Sequence, residues 1–207
     1  MDASPTERDN MCDTGYSVKR LVEDMTELRE GGADDAAMAE AVPELAKRLV
    51  LMKHNWLRSY MCEPNASDRN AAGIYKLHEE PDHTLGVFVV TWLPGDETPP
   101  HDHGTWAVIA GLEGWETNHR WKRIDDGLVP GYADVRRDFS ERIDEGTIVS
   151  LPTESIHSLH NDSGGKSVTL HIYGVNVDYT DRHKFDPARH SMAPYRFGAT
   201  SNTVTSR

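Results

Sequence analysis

The chain reads as a mainly β protein, a barrel preceded by a helical layer, and three observations predict it. Two short segments about fifty residues apart have the character of two halves of one metal-binding β-barrel: Gly95 to His103, closed by Gly114, and Gly146 followed by Pro152, His157 and Asn161. From Gly86-Val87-Phe88-Val89-Val90-Thr91-Trp92-Leu93 onward the pattern is one of short strands and turns, with Asp125-Asp126-Gly127 among the turns. Ahead of that, apolar residues recur at helical spacing.

Taken in order, residues 1–14 are polar and are expected to be loose. Val18, Leu21, Val22, Met25 and Leu28 then share one helical face, and Gly31-Gly32 ends that helix. A second helix is expected to begin near Pro43, whose fixed φ suits a first turn, with Leu45, Leu49, Met52 and Trp56 along one stripe. These helices make a layer over residues 15–60, the barrel occupies 70–186, and the end from 198 to 207 is expected to be flexible. Nothing repeats at a fixed period, so one domain spanning 1–207 is expected.

In His101-Asp102-His103 the alternation of a strand places two imidazoles on one face and the carboxylate on the other. With His157 they supply three histidines for one metal ion. Imidazole ligation alone suits iron, zinc, copper or nickel, and a zinc hydrolase stays open on ligand type. Lys166 to Gly174 is a second alternating strand, in which Thr169, His171 and Tyr173 share a face as a hydroxyl, imidazole and phenol relay. Each residue also has a plainer reading. His171 and Tyr173 alone fit a hydrogen-bonded core, and Arg182 fits an ion pair with Asp178 or Asp181. His54, His78, His83, His119, His160, His183 and His190 read as structural or solvated, and Trp106 and Trp115 as core or pocket wall.

The two segments resemble the two motifs of the cupin superfamily, which implies a double-stranded β-helix, a small jelly-roll barrel with a metal inside. A glycine lies six residues before His-x-His, while Ala107 or Val108 falls in the slot that often holds a carboxylate and Glu154 stands where the family usually has glycine. The Thr169, His171, Tyr173 strand resembles the Ser-x-His-x-Tyr triad of the thiol dioxygenases, with threonine keeping the hydroxyl. The resemblance runs from about Leu45 to Asp186 and is carried by Pro100 to His103, Trp106 to Ile109 and His171 to Gly174.

It implies one Fe(II) per chain held by His101, His103 and His157, a small mercapto acid and O2 as partners, and a sulfinate product. The 3-mercaptopropionate branch is the closer one. The cysteine that crosslinks to the tyrosine in mammalian cysteine dioxygenases would stand at about Ala107, and only Cys12 and Cys62 are present. No arginine occurs in Gly73 to Leu77, the anchoring region of the cysteine branch, whereas Arg182 stands nine residues after Tyr173, where the other branch places its carboxylate anchor. That branch's glutamine is replaced, at Ile74, which leaves a more polar acid such as mercaptosuccinate open. Two alternatives stand beside this reading: a three-histidine cupin enzyme with another metal and a non-thiol substrate, and a non-catalytic cupin that binds a small acid.

Composition sets the bounds. With 207 residues and 37% hydrophobic content the chain can fill one core. A formal net charge of -12 argues against nucleic acid and anionic membrane as partners. Two distant cysteines make no disulfide framework, no apolar run approaches the ~18 residues of a membrane span, and the N-terminus lacks a signal peptide's apolar core. The cytoplasm is the expected compartment.

Overall fold

The structure, a computed structural model, describes residues 15–64 and 72–196, with the backbone of 202 and 203. The expected loose segment 1–14, Cys12 and the rest of the C-terminal end lie outside the described residues.

Helix α1 spans Val18–Glu30; the Ser17 side chain accepts the Arg20 N–H at its start, and Gly31 caps its end, as the glycine pair predicts. Helix α2, Asp35–Leu51, begins well before Pro43. The expected start fails because Asp34 is the cap: its side chain accepts the Ala37 N–H, and two turns of Ala-rich sequence follow. Pro43 therefore sits inside the helix, where its missing N–H leaves the Ala39 carbonyl without its usual partner. A distant residue fills that gap, for Ser150 Oγ donates to Ala39 O at 2.6 Å. The apolar stripe also breaks early: Met52 is 38% exposed, and Trp56 belongs to a separate short helix α3, Lys53–Trp56. Ser150→Ala is expected to cost about 1–3 kcal/mol, because it orphans a buried carbonyl. A fall in the urea midpoint at unchanged slope would show it, and an unmoved midpoint would mean that Ala39 O has another partner.

The strands are β1 (Gly73–Glu79), β2 (Gly86–Trp92), β3 (Ala107–Glu113), β4 (Trp115–Arg123), β5 (Val135–Asp144), β6 (Ile148–Leu151), β7 (Ile156–His160), β8 (Ser167–Tyr173), β9 (His183–Asp186), β10 (Ser191–Pro194) and β11 (Asn202–Thr203). One sheet has the order β11-β1-β2-β8-β3-β6, and a second has the order β5-β4-β7. From β3 to β8 the chain passes back and forth between these sheets, which is the winding of a double-stranded β-helix. The architecture is thus a mainly β barrel of the double-stranded β-helix type with an N-terminal helical layer.

Strand β8 shows why the barrel can have a polar interior. Its residues Val168, Leu170 and Ile172 join Val87, Val89, Val108 and Leu112 in a core that α1 and α2 cover with Leu21, Met25, Met38, Val42 and Leu49. Each such fully buried side chain contributes about 1.5–3 kcal/mol, so the helix-facing side of the sheet anchors the fold. The opposite face of β8 is left to Ser167, Thr169, His171 and Tyr173, all buried. Apolar walls of Phe88, Val90, Ile109, Ile143, Leu151 and Leu159 surround them.

Two motif glycines meet backbone demands. Gly146 has φ +83°, and Gly114 has φ +65° with room for a Cβ denied by the Lys166 carbonyl, 2.2 Å from where that atom would lie. The barrel runs further than expected, since β9 and β10 form a hairpin to Pro194. No helix among the described residues is long and apolar enough to cross a membrane.

Candidate metal centre

His101 and His103 do not lie on a regular strand. His101 sits at a bridge that pairs with His157 on one side and Lys184 on the other. The faces are nonetheless as alternation predicts: His101 and His103 are buried, while the Asp102 carboxylate turns outward and accepts the His183 N–H at 2.7 Å. The ring centroids of the three histidines lie 5.1 Å (His101–His103), 4.5 Å (His101–His157) and 4.8 Å (His103–His157) apart. One ring nitrogen from each falls within 4.8 Å of the others.

Two of the outer nitrogens are already engaged. Nδ1 of His101 donates to the Pro99 carbonyl at 2.9 Å, and Nδ1 of His157 donates to Asn118 Oδ1 at 2.9 Å. Those bonds fix the tautomer that leaves an Nε2 lone pair turned inward. Nε2 of His157 faces Nε2 of His103 at 3.2 Å. Burial first and the Arg182 charge second hold His101 down at about 3; burial also holds His103 and His157 well below the usual histidine range. Neutral, converging, buried imidazoles are the ligating form, and as a donor set they fit a divalent transition metal. No carboxylate or thiolate joins the cluster among the described residues. Ala107, in the acidic slot, pairs across the sheet with Tyr173.

Asn118 was not singled out by the sequence, because it lies 39 residues from His157 and in no motif. It occupies the inward face of β4, opposite β7. Removing such a partner typically lowers metal affinity 10–100-fold. Asn118→Ala is expected to show that loss in a competition titration against a chelator, and wild-type affinity would mean that something else orients the ring.

Thr169, His171 and Tyr173 meet as the alternation predicts. Thr169 Oγ1 is 3.0 Å from His171 Nε2, and His171 Nδ1 is 2.9 Å from Tyr173 Oη. Burial pushes the Tyr173 phenol up and holds His171 down at about 3, so both are neutral at ordinary pH. The Tyr173 ring stands 5.1 Å from that of His103. Cys62 is buried in the core between sheet and helices, on the other side of the sheet from Tyr173, and has no disulfide.

Arg182 enters the same interior and is only 2% exposed. The hairpin of β9 and β10 carries it there by closing on the His101 segment: Phe185 N–H donates to the Pro100 carbonyl and Asp102 N–H to that of His183. The segment before it, expected as a loop, includes a single 3-10 turn, Val177–Tyr179, whose start is capped by Asn176. The Arg182 guanidinium lies 4.3 Å from the Tyr195 ring centroid, and that ring is 5.2 Å from His101. Tyr195 falls beyond the barrel boundary expected at 186, and so was missed. Of the other histidines, His83 stacks on Tyr179 at 3.5 Å and contacts Glu79, a structural role, and His160 does not join the cluster.

No protein-family model matches the sequence. Among solved structures, an oxalate oxidase in complex with the substrate analogue glycolate is similar at 17% identity and a TM-score of 0.43, over 57% of this chain and 59% of that one. The chain thus spans about three fifths of that protein's length. A putative sugar phosphate isomerase from Acidithiobacillus ferrooxidans is similar at 20% identity and a TM-score of 0.43, over 63% and 74%. An uncharacterized protein with a double-stranded β-helix domain from Klebsiella pneumoniae is similar at 12% identity and a TM-score of 0.39, over 67% and 93%. Likenesses this distant carry no reaction, metal or substrate to this chain, whose fold stands on its own strand order.

Proposed function

We propose that the chain is a non-haem iron thiol dioxygenase, a single-domain cytoplasmic enzyme that converts a small mercapto acid and O2 to a sulfinate. The observation that supports this most is the company kept by Arg182: a buried guanidinium, three neutral imidazoles and a buried phenol share one barrel interior. A fixed cation there selects an anion, and guanidinium grips a carboxylate with two parallel hydrogen bonds. Ferrous iron held by His101, His103 and His157 would supply open coordination positions and one-electron chemistry for O2, while the four electrons that O2 takes up would come from the sulfur, which goes from thiolate to sulfinate.

The chain's own groups prepare the substrate. Arg182 orients the carboxylate, and its charge favours the thiolate over the thiol. Tyr173, kept protonated by burial, donates a hydrogen bond into the site or takes part in moving the thiol proton. His171, neutral and held at both nitrogens, passes that proton along rather than storing it. Thr169 fixes the imidazole's tautomer. Ile74 packs against the inner apolar cluster, which gives the substrate chain a greasy wall where a polar anchor is absent.

Oxygen uptake by the iron-loaded protein against 3-mercaptopropionate, cysteine, mercaptosuccinate and a thiol without a carboxylate tests the reading. Uptake is expected only with the mercapto acids. No uptake with any thiol would leave a cupin with another metal or substrate. Tyr173→Phe is expected to retain its metal while turnover falls ~100-fold, the scale of one acid–base contribution. Undiminished sulfinate formation in that variant would remove the phenol from the reaction.

A further inference from the structure

His157, one of the three clustered imidazoles, is tied to the protein surface by an unbroken line of hydrogen bonds that no sequence motif contains. Its Nδ1 donates to Asn118 Oδ1 at 2.9 Å, and Asn118 Nδ2 donates to Glu141 Oε1 at 2.8 Å. The same Glu141 oxygen accepts from Arg120 Nε at 2.8 Å, and Arg120 Nη2 reaches on to the Ser150 carbonyl on β6 at 2.9 Å. Strand register builds this line. Asn118 on β4 lies directly opposite Glu141 on β5, and Arg120, two residues further along β4, lies opposite His157 on β7. Asn118 is fully buried, whereas the Glu141 side chain is 32% exposed and stands at the outer end.

The order of donors and acceptors along the line follows from its outer end. A carboxylate only accepts and a guanidinium only donates, so the end of the Asn118 amide that faces Glu141 must be its NH2. The amide carbonyl then faces His157 and can only accept, which places the imidazole proton on Nδ1. The lone pair is left on Nε2, the nitrogen turned towards His103. With the amide reversed, its NH2 would meet Nδ1 and the ring proton would sit on Nε2. The nitrogen aimed at the cluster could then bind no metal. With no acceptor at position 141, nothing holds the NH2 end outward, and the donor left behind, Arg120 Nε, favours the reversed amide.

We propose that Glu141 is a positioning residue of the metal centre, which acts through Asn118 to hold His157 in the tautomer that ligates. It touches neither metal nor substrate. The carboxylate selects one of two neutral forms of the ring, and Arg120 keeps that carboxylate in place. The inference rests on His157 belonging to the metal-binding cluster and not on the thiol reading.

Two measurements on the full-length protein test it. Nitrogen NMR of labelled histidine rings separates a protonated ring nitrogen from a bare one, and the His157 signals are identified by their loss in His157→Gln. Before any metal is added, the wild type should carry the proton on Nδ1 alone, while Glu141→Met should show a population with the proton on Nε2. Zinc affinity, by competition against a chelator, should fall about tenfold in Glu141→Met, the lower end of what loss of a ligand's direct partner costs. Adding Asn118→Asp to Glu141→Met should return the proton to Nδ1 and recover most of the affinity, because a carboxylate beside the ring can only accept. A loss caused by disturbed packing would not be undone by that second substitution. An unchanged His157 spectrum in Glu141→Met, or a double variant no better than the single one, would overturn the proposal. If Glu141→Met does not fold, Glu141→Ala, which also removes the acceptor, is read in its place with the same expected shift. The tautomer is read without metal or thiol, so its result stands apart from a failure to bind zinc or to oxidise a thiol.

Discussion

Replacing His103 by alanine is expected to lower metal affinity at least a thousandfold, about 4 kcal/mol, and to abolish turnover with it. Three buried nitrogens within 4.8 Å of one another form the donor set among the described residues, so losing one leaves a two-ligand site in a closed interior. His101→Ala and His157→Ala should behave alike, since each ring is pre-set by an outer partner, Pro99 or Asn118. Metal content by mass spectrometry after dialysis checks all three. Full metal occupancy in each single variant would show that the cluster is a packed core of histidines and not a centre. The fold should survive, because the anchoring core lies on the other face of the sheet, with α1 and α2.

Arg182→Lys is the second large effect, with an expected rise in KM for a mercapto acid of about thirtyfold to several thousandfold and unchanged metal content. The range corresponds to the roughly 2–5 kcal/mol lost when one side of a buried charge-assisted pair is removed. Lysine keeps the charge but not the planar fork, and it also gives up the face-on contact that the guanidinium makes with Tyr195. A thiol without a carboxylate should show no such change, which separates substrate gripping from general damage to the barrel. Equal losses for both kinds of thiol, or none for either, would make Arg182 a structural cation.

What the sequence made legible depended on whether the decisive contacts were local. Helix α1 could be read because its apolar face and its terminal glycines are neighbours in sequence. The line of Thr169, His171 and Tyr173 could be read because they are alternate residues of one strand, and strand geometry alone puts them on one face. The start of α2 was misread because Pro43 signals a first turn only when its carbonyl partner is not supplied elsewhere. Here Ser150, 111 residues from Ala39, supplies the hydrogen bond. Asn118 and Tyr195 were illegible for the same reason. Each acquires its place from a strand pairing or a hairpin closure that no local pattern encodes. Arg182 was visible through a family resemblance, but its burial follows from the hairpin of β9 and β10 folding back on the His101 segment.

The most direct test of the proposed chemistry is product analysis after turnover of the iron-loaded protein with 3-mercaptopropionate under isotopically heavy dioxygen. The account predicts a sulfinate in which both oxygen atoms carry the label, formed in proportion to the oxygen consumed. A product that takes its oxygen from water, or oxygen consumption that yields only disulfide, would contradict it.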